Sequence, residues 1–267
     1  MLAVLRHALW RRRTSLAWWA LGLVAVTGLL AVAYPTVRDN AELDKTFSGL
    51  SPSVQALLGL SSGLSLTSPA GYLNSQFFAN ILPVMLLVFA VGVAAWTVAG
   101  DEAAGTLELL LANPVGRARV AVARAGALAL LVAGLTAISA LALAAMAPAV
   151  GLDQGLPALR MVQATVASGA LALAFAAVAF AVGAATGSRP AALGAAATLA
   201  VFGFVIEGLA EQVRALRPIR AASPWHWLLG SDPLQHGLAW RAWALPVATS
   251  VLLVLLGTIC FTRRDLH

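Results

Sequence analysis

Read from charge to charge, the chain falls into apolar stretches too long for the core of a soluble domain. A membrane span needs about 20 such residues to cross a hydrocarbon layer of about 30 Å, and six intervals qualify. Arg13 and Arg38 bound the first, and the second half of the interval between Lys45 and Asp101 supplies the second. Arg124 to Asp153 encloses the third, Arg160 to Arg189 the fourth, Arg189 to Glu207 the fifth, and Arg241 to Arg263 the sixth. The fifth is short and is read as extending past Glu207. The pattern predicts spans over about residues 14–36, 77–100, 125–148, 161–187, 190–210 and 242–262. The expected fold is an all-α integral membrane protein in which residues 1–267 form a single transmembrane domain.

Gly187-Ser188-Arg189-Pro190 is only long enough to reverse two antiparallel helices at one membrane face, so spans four and five are expected to form a hairpin. Six spans put both termini on one side, and the positive-inside rule selects it. Arg6, Arg11, Arg12 and Arg13 mark the amino terminus as cytoplasmic. Arg117, Arg119 and Arg124, then Arg189, then Arg263 and Arg264 agree. Arg214, Arg217, Arg220 and Arg241 dissent, because they fall in the last loop, which this arrangement places outside. The apolar run of the first span exceeds the roughly 7 to 15 residues of a signal peptide, so a retained helix is expected despite the Ala31-Val32-Ala33 triplet.

Composition agrees with the pattern. The chain is 60% hydrophobic and 10% charged, where soluble domains are about 25% charged. Its 23 glycines suit close-packed membrane helices. The net charge of +6 lies beside apolar segments and reads as topology signals and contacts with membrane lipids, with no nucleic-acid partner. Cys260, the one cysteine, excludes a disulfide framework and is expected to be a small buried hydrophobe.

Outside the spans, Met1 to Arg13 carries Leu2, Leu5 and Leu9 at helical spacing, so an amphipathic helix along the inner membrane surface is expected; a simple basic anchor for span one is the alternative. Tyr34 to Gln76 is rich in Ser, Gly and Pro and is expected to form short helices on the outer surface. The extended last loop, Glu207 to Arg241, holds Trp225, Trp227 and Trp240, which fit an interface belt. Glu207 at a span end is either a mark of a transport pathway or an ion-paired helix end, and Glu211 and Arg214 are spaced for an ion pair.

Several chemistries are excluded or unsupported. A P-loop needs GxxxxGK[ST], yet the single lysine, Lys45, follows Asp44, so ATP-driven work requires a partner. The chain is therefore expected not to be an enzyme itself. Gly59-Leu60-Ser61-Ser62-Gly63 matches GxSxG, and His226 or His236 with Asp232 could nominally complete a triad. A nucleophile elbow, however, needs a strand, a sharp turn and a helix above a parallel sheet, which nothing here resembles. His7, His226, His236 and His267 lack HExxH spacing, and no metal site is expected.

The loop between spans two and three carries the most information. Gly105-Thr106 can start a short helix, Glu108 sits favourably in its first turn, and Asn113-Pro114 stops it. Leu107, Leu110 and Leu111 form an apolar stripe. Such a helix, followed by Arg117 and Arg119, either docks another protein or rests on the membrane. The stretch from Glu102 through Gly105-Thr106-Leu107-Glu108-Leu109-Leu110-Leu111-Ala112 to Pro114-Val115 and Arg117 resembles the signature of ABC-2 type transporter permeases. In that family it lies between spans two and three, where the charge pattern independently places it.

The resemblance implies a permease subunit of an ATP-driven exporter in the bacterial plasma membrane. It would pair with a second permease, identical or not, and with ABC ATP-binding subunits that carry ATP and Mg. Thr106 to Asn113 is similar to the coupling helix that seats in the ATP-binding subunit, with Glu102 and Glu108 at the acidic positions, and Met1 to Arg13 is similar to the connecting helix. Spans one, two and five line the path by the same analogy. Phe77, Phe78, Asn80 and Met85 in span two, Phe202 and Phe204 in span five, and Glu207 are candidates for it. The rival reading is an ion-coupled secondary transporter or channel, which needs polar or charged residues near the middle of spans.

Overall fold

A computed structural model of the chain describes residues 2–40, 42, 46, 49–50, 54, 65–100, 116–210 and 213–264. Six helices are long and apolar enough to cross a membrane, and no strand occurs among the described residues. The first span is Leu2–Arg38 and the third Arg117–Val150; the fourth is Ala158–Thr186, the fifth Arg189–Leu209 and the sixth Trp240–Arg263. The second is a continuous stack of Pro69–Tyr72, Leu73–Ile81, Leu82–Ala95 and Trp96–Gly100.

Two expectations change here. Residues 2–13 are not a separate surface helix: they are the first turns of a single 37-residue helix, about 55 Å long at 1.5 Å per residue. Their inward residues Val4, Leu5, Ala8 and Leu9 turn toward the bundle, with Leu5 beside Gly126 of the third span, so protein packing continues the helix without a break. The segment 34–76 is also not wholly external. Tyr34 is buried within span one, and span two begins at Pro69, eight residues before the predicted start, capped by the Ser68 side chain on Gly71 N–H.

Residues Leu73–Ile81 run in the wider π register. Pro83 explains this locally, since it lacks an N–H and its ring crowds the carbonyl four residues back, pushing the preceding turns toward i→i+5 bonding. Leu82 N–H accordingly bonds to Phe77 O.

The fourth span is the hub and packs against spans two, three, five and six. Its buried face is built from small residues, among them Ala167, Ala172, Ala176 and Ala179, with Leu171 and Phe180 filling the gaps. Small side chains allow backbones to approach closely, which is the main source of attraction between helices in lipid. At Gly257 of span six a Cβ would lie 2.8 Å from Ala181 Cα of span four. Gly257→Val is therefore expected to cost about 1–3 kcal/mol, read as a lower Tm in detergent. Gly194→Ala, where a Cβ meets nothing within 4 Å, is the control and should leave Tm unchanged.

Hydroxyls in the spans are satisfied inside their own helices. Thr27, Thr136, Ser139, Thr165, Ser168, Ser250 and Thr258 each donate to the carbonyl four residues earlier. In hydrocarbon an unmet polar group is costly, so this pairing is what permits them there.

Contacts between span ends sort them onto two faces. On one, Arg117 Nη1 donates to Arg264 O at 2.8 Å, Arg124 donates to Thr97 O, and Arg189 lies over the Trp96 ring. On the other, Tyr34 Oη donates to Thr67 O, Tyr72 Oη donates to Leu30 O, and Arg160 donates to Leu234 O and Gln235 O. Gly187, with φ +69°, ends span four, and Ser188 caps Ala191 N–H to begin span five, so their reversal lies on the first face.

Candidate functional site

The signature loop is reached from its stem. Glu102, Gly105, Thr106, Leu107, Glu108, Leu110, Leu111 and Asn113 lie outside the described residues, but the chain leaves the bundle at Gly100 and returns at Gly116, both at the arginine-rich face. The last turn before the loop, Trp96–Gly100, is again π-helical. A side chain at Gly100 would meet the Trp96 ring at 2.3 Å, so glycine is required for the ring to fold back on this turn.

Arginines from three other spans converge on that turn. The Arg12 guanidinium lies 5.4 Å from the Trp96 ring centre and that of Arg189 4.1 Å from it. Arg124, only 5% exposed, donates through Nη1 to Thr97 O. Cations over an indole face are attracted to its negative π-cloud, more strongly where water is partly excluded. Spans one, three and five are thereby tied to the end of span two, where the loop departs. Neither Trp96 nor these contacts were singled out from the sequence. A tryptophan four residues before a span's predicted end was the available signal.

The opposite face is organised around Glu207, near the end of span five. It is 8% exposed, and its carboxylate accepts from Arg220 at 3.0 and 2.8 Å, with His226 Nδ1 at 3.2 Å. Glu207 is thus ion-paired at the end of span five. Its partner comes from the last loop, thirteen residues on; Glu211, expected to pair with Arg214, lies outside the described residues.

That loop is not simply a surface feature. Two of its short helices, Arg217–Ala221 and Pro224–Leu229, pack onto span five. Trp225 is 2% exposed: its ring meets Phe204 edge-on at 5.1 Å and lies 6.3 Å from Phe175, while Nε1 donates to Ala200 O at 2.9 Å. Gly203 leaves the space, since a Cβ there would lie 3.0 Å from Trp225 Cδ1. Trp225 therefore leaves the expected interface belt and enters the bundle, whereas Trp240 remains exposed.

The pathway candidates divide. Phe77 and Phe78 are 1% and 3% exposed and pack edge-on at 5.2 Å within the core. Asn80 donates its amide to Ser75 O, and Met85 is partly buried against the core. Phe204 meets Trp225 and Glu207 meets Arg220 of the same loop, while Phe202, at 62% exposure, faces outward. Cys260 is also outward-facing rather than buried, because that face of span six is turned away from span four. Of the nominal triad, Ser61 lies outside the described residues, His226 faces Glu207, and Asp232 accepts from Gln235.

No curated protein matches the chain. The family described as "ABC-2 family transporter protein" matches residues 2–266, nearly the whole length and including the signature loop, both faces and all six spans. The chain belongs to the ABC-2 family of transporter proteins.

Proposed function

We propose that this chain is the permease subunit of an ATP-driven exporter, pairing with a second permease and driven by separate ATP-binding subunits that hold ATP and Mg. The observation that carries this reading is the position of the signature loop's stem, clamped to spans one, three and five at the face where Arg12, Arg124 and Arg189 gather. By the positive-inside rule that face is cytoplasmic, with both termini on it, in the plasma membrane of a bacterium. Of the dissenting arginines, Arg220 is paired with Glu207.

Mechanically, a helix spanning Thr106 to Asn113 seats in the ATP-binding subunit and moves with it. Its stem transmits the displacement to spans one, three and five together, because Trp96 and Thr97 are held by side chains of all three. The exposed apolar face of span five, including Val201, Phe202 and Val205, is the surface that faces the path or the second permease. Ion coupling draws no support from the spans, whose hydroxyls are taken up by their own backbones.

The test is purification of the full chain from its native membranes, with any co-purifying ATP-binding protein identified by mass spectrometry. A stable complex whose ATPase activity requires this chain is the expected result. Transport driven by an ion gradient with no such protein bound would overturn the proposal.

A further inference from the structure

We propose that the arginine-rich face carries a binding site for the phosphate-bearing headgroup of an acidic phospholipid. The site is a cavity of about 380 Å³ between the first turns of span one and the facing ends of spans two and three. That volume falls within the roughly 300–1,000 Å³ usual for ligand sites. Its polar lining includes His7, Arg11, Arg12 and Arg124, and its apolar lining includes Val93, Leu128 and Leu131.

The two linings match the two halves of an anionic amphiphile. A guanidinium forms paired, charge-assisted hydrogen bonds with a phosphate. It carries five N–H donors, so anchoring through a carbonyl, as Arg124 is on Thr97, is compatible with binding an anion. Arg12 is held beside the cavity by the Trp96 ring, so part of its side chain is ordered before any ligand arrives. The apolar lining belongs to membrane spans, where acyl chains are at hand. A nucleic acid or acidic peptide would find no comparable use for Val93, Leu128 and Leu131. Basic sites between helix ends are also where acidic lipid headgroups are held in membrane proteins generally.

This proposal requires only that the chain is membrane-embedded, so it fails or survives independently of any ATP-binding partner. The experiment uses the purified full chain in detergent, with native mass spectrometry and Tm as readouts. Phosphatidylglycerol, phosphatidylcholine with the same acyl chains, glycerol 1-phosphate and inorganic phosphate are the four probes. Phosphatidylglycerol is expected to bind and raise Tm, phosphatidylcholine much less. Arg11→Gln/Arg12→Gln should weaken phosphatidylglycerol about 25-fold, at roughly five-fold per arginine. Arg6→Gln/Arg13→Gln, which removes two arginines that do not line the cavity, should leave it unchanged. Equal binding of both lipids, equal loss in the two double variants, or equally tight binding of either soluble phosphate would overturn it.

Discussion

Glu108→Arg is expected to leave insertion and Tm of the isolated chain unchanged while cutting both association with the ATP-binding subunit and ATP-dependent export about 100-fold. Glu108 follows the stem at Trp96–Gly100 in the sequence, and the packing described above for the six spans is made by other residues. In the proposed arrangement it faces a partner surface matched to a carboxylate at the first turn of a short helix. Reversing its charge replaces attraction with repulsion, and like-charge juxtaposition across an interface costs several kcal/mol, of which roughly 2.7 already gives 100-fold. Co-purification yield and export into inverted vesicles measure the two effects. Undiminished association would remove Glu108 from the interface, and undiminished export would remove the loop from the coupling mechanism.

The second large effect lies on the opposite face. Arg220→Ala should destabilise the protein by about 3 kcal/mol, the lower end of the range for breaking a buried pair, because Arg220 retains 23% side-chain exposure. The cost arises from Glu207, which at 8% exposure would be left with His226 as its one remaining side-chain partner among the described residues. Arg220 also ties the last loop to span five, so the variant should release that segment to protease faster than the parent. Glu207→Leu/Arg220→Met is expected to recover most of the stability, since an apolar pair of similar size needs no compensation for lost hydration. A double variant as unstable as Arg220→Ala would show that the ion pair itself holds the loop.

These two sites differ in how far they were legible beforehand. The loop from Glu102 to Arg117 was recognisable because its turn-forming, acidic and leucine positions are consecutive, so one local stretch carries the whole pattern. The Glu207 cluster was visible only as a choice between a pathway residue and a paired helix end. Its partner Arg220, thirteen residues on, was not named, because spacing along a helix registers only local partners. Trp225 was misread for a related reason. Tryptophan near a span end ordinarily sits at the headgroup level, and only the space at Gly203 and the Ala200 carbonyl draw it inward. The arginines around Trp96 read as topology signals, which describes their average position and says nothing of what they touch.

The number of spans and their approximate bounds were determined by sequence alone, because each helix must satisfy its own backbone hydrogen bonds and cover a fixed hydrocarbon thickness. Those are conditions on consecutive residues. Tertiary structure decided where helices continue beyond the predicted spans, as at Leu2–Arg13 and Pro69–Gln76, since there residues such as Leu5 and Tyr72 pack against other spans. It also decided which arginine meets which aromatic ring or carboxylate. Such contacts join residues as far apart as Arg12, Trp96 and Arg189, and no pattern within one segment encodes them.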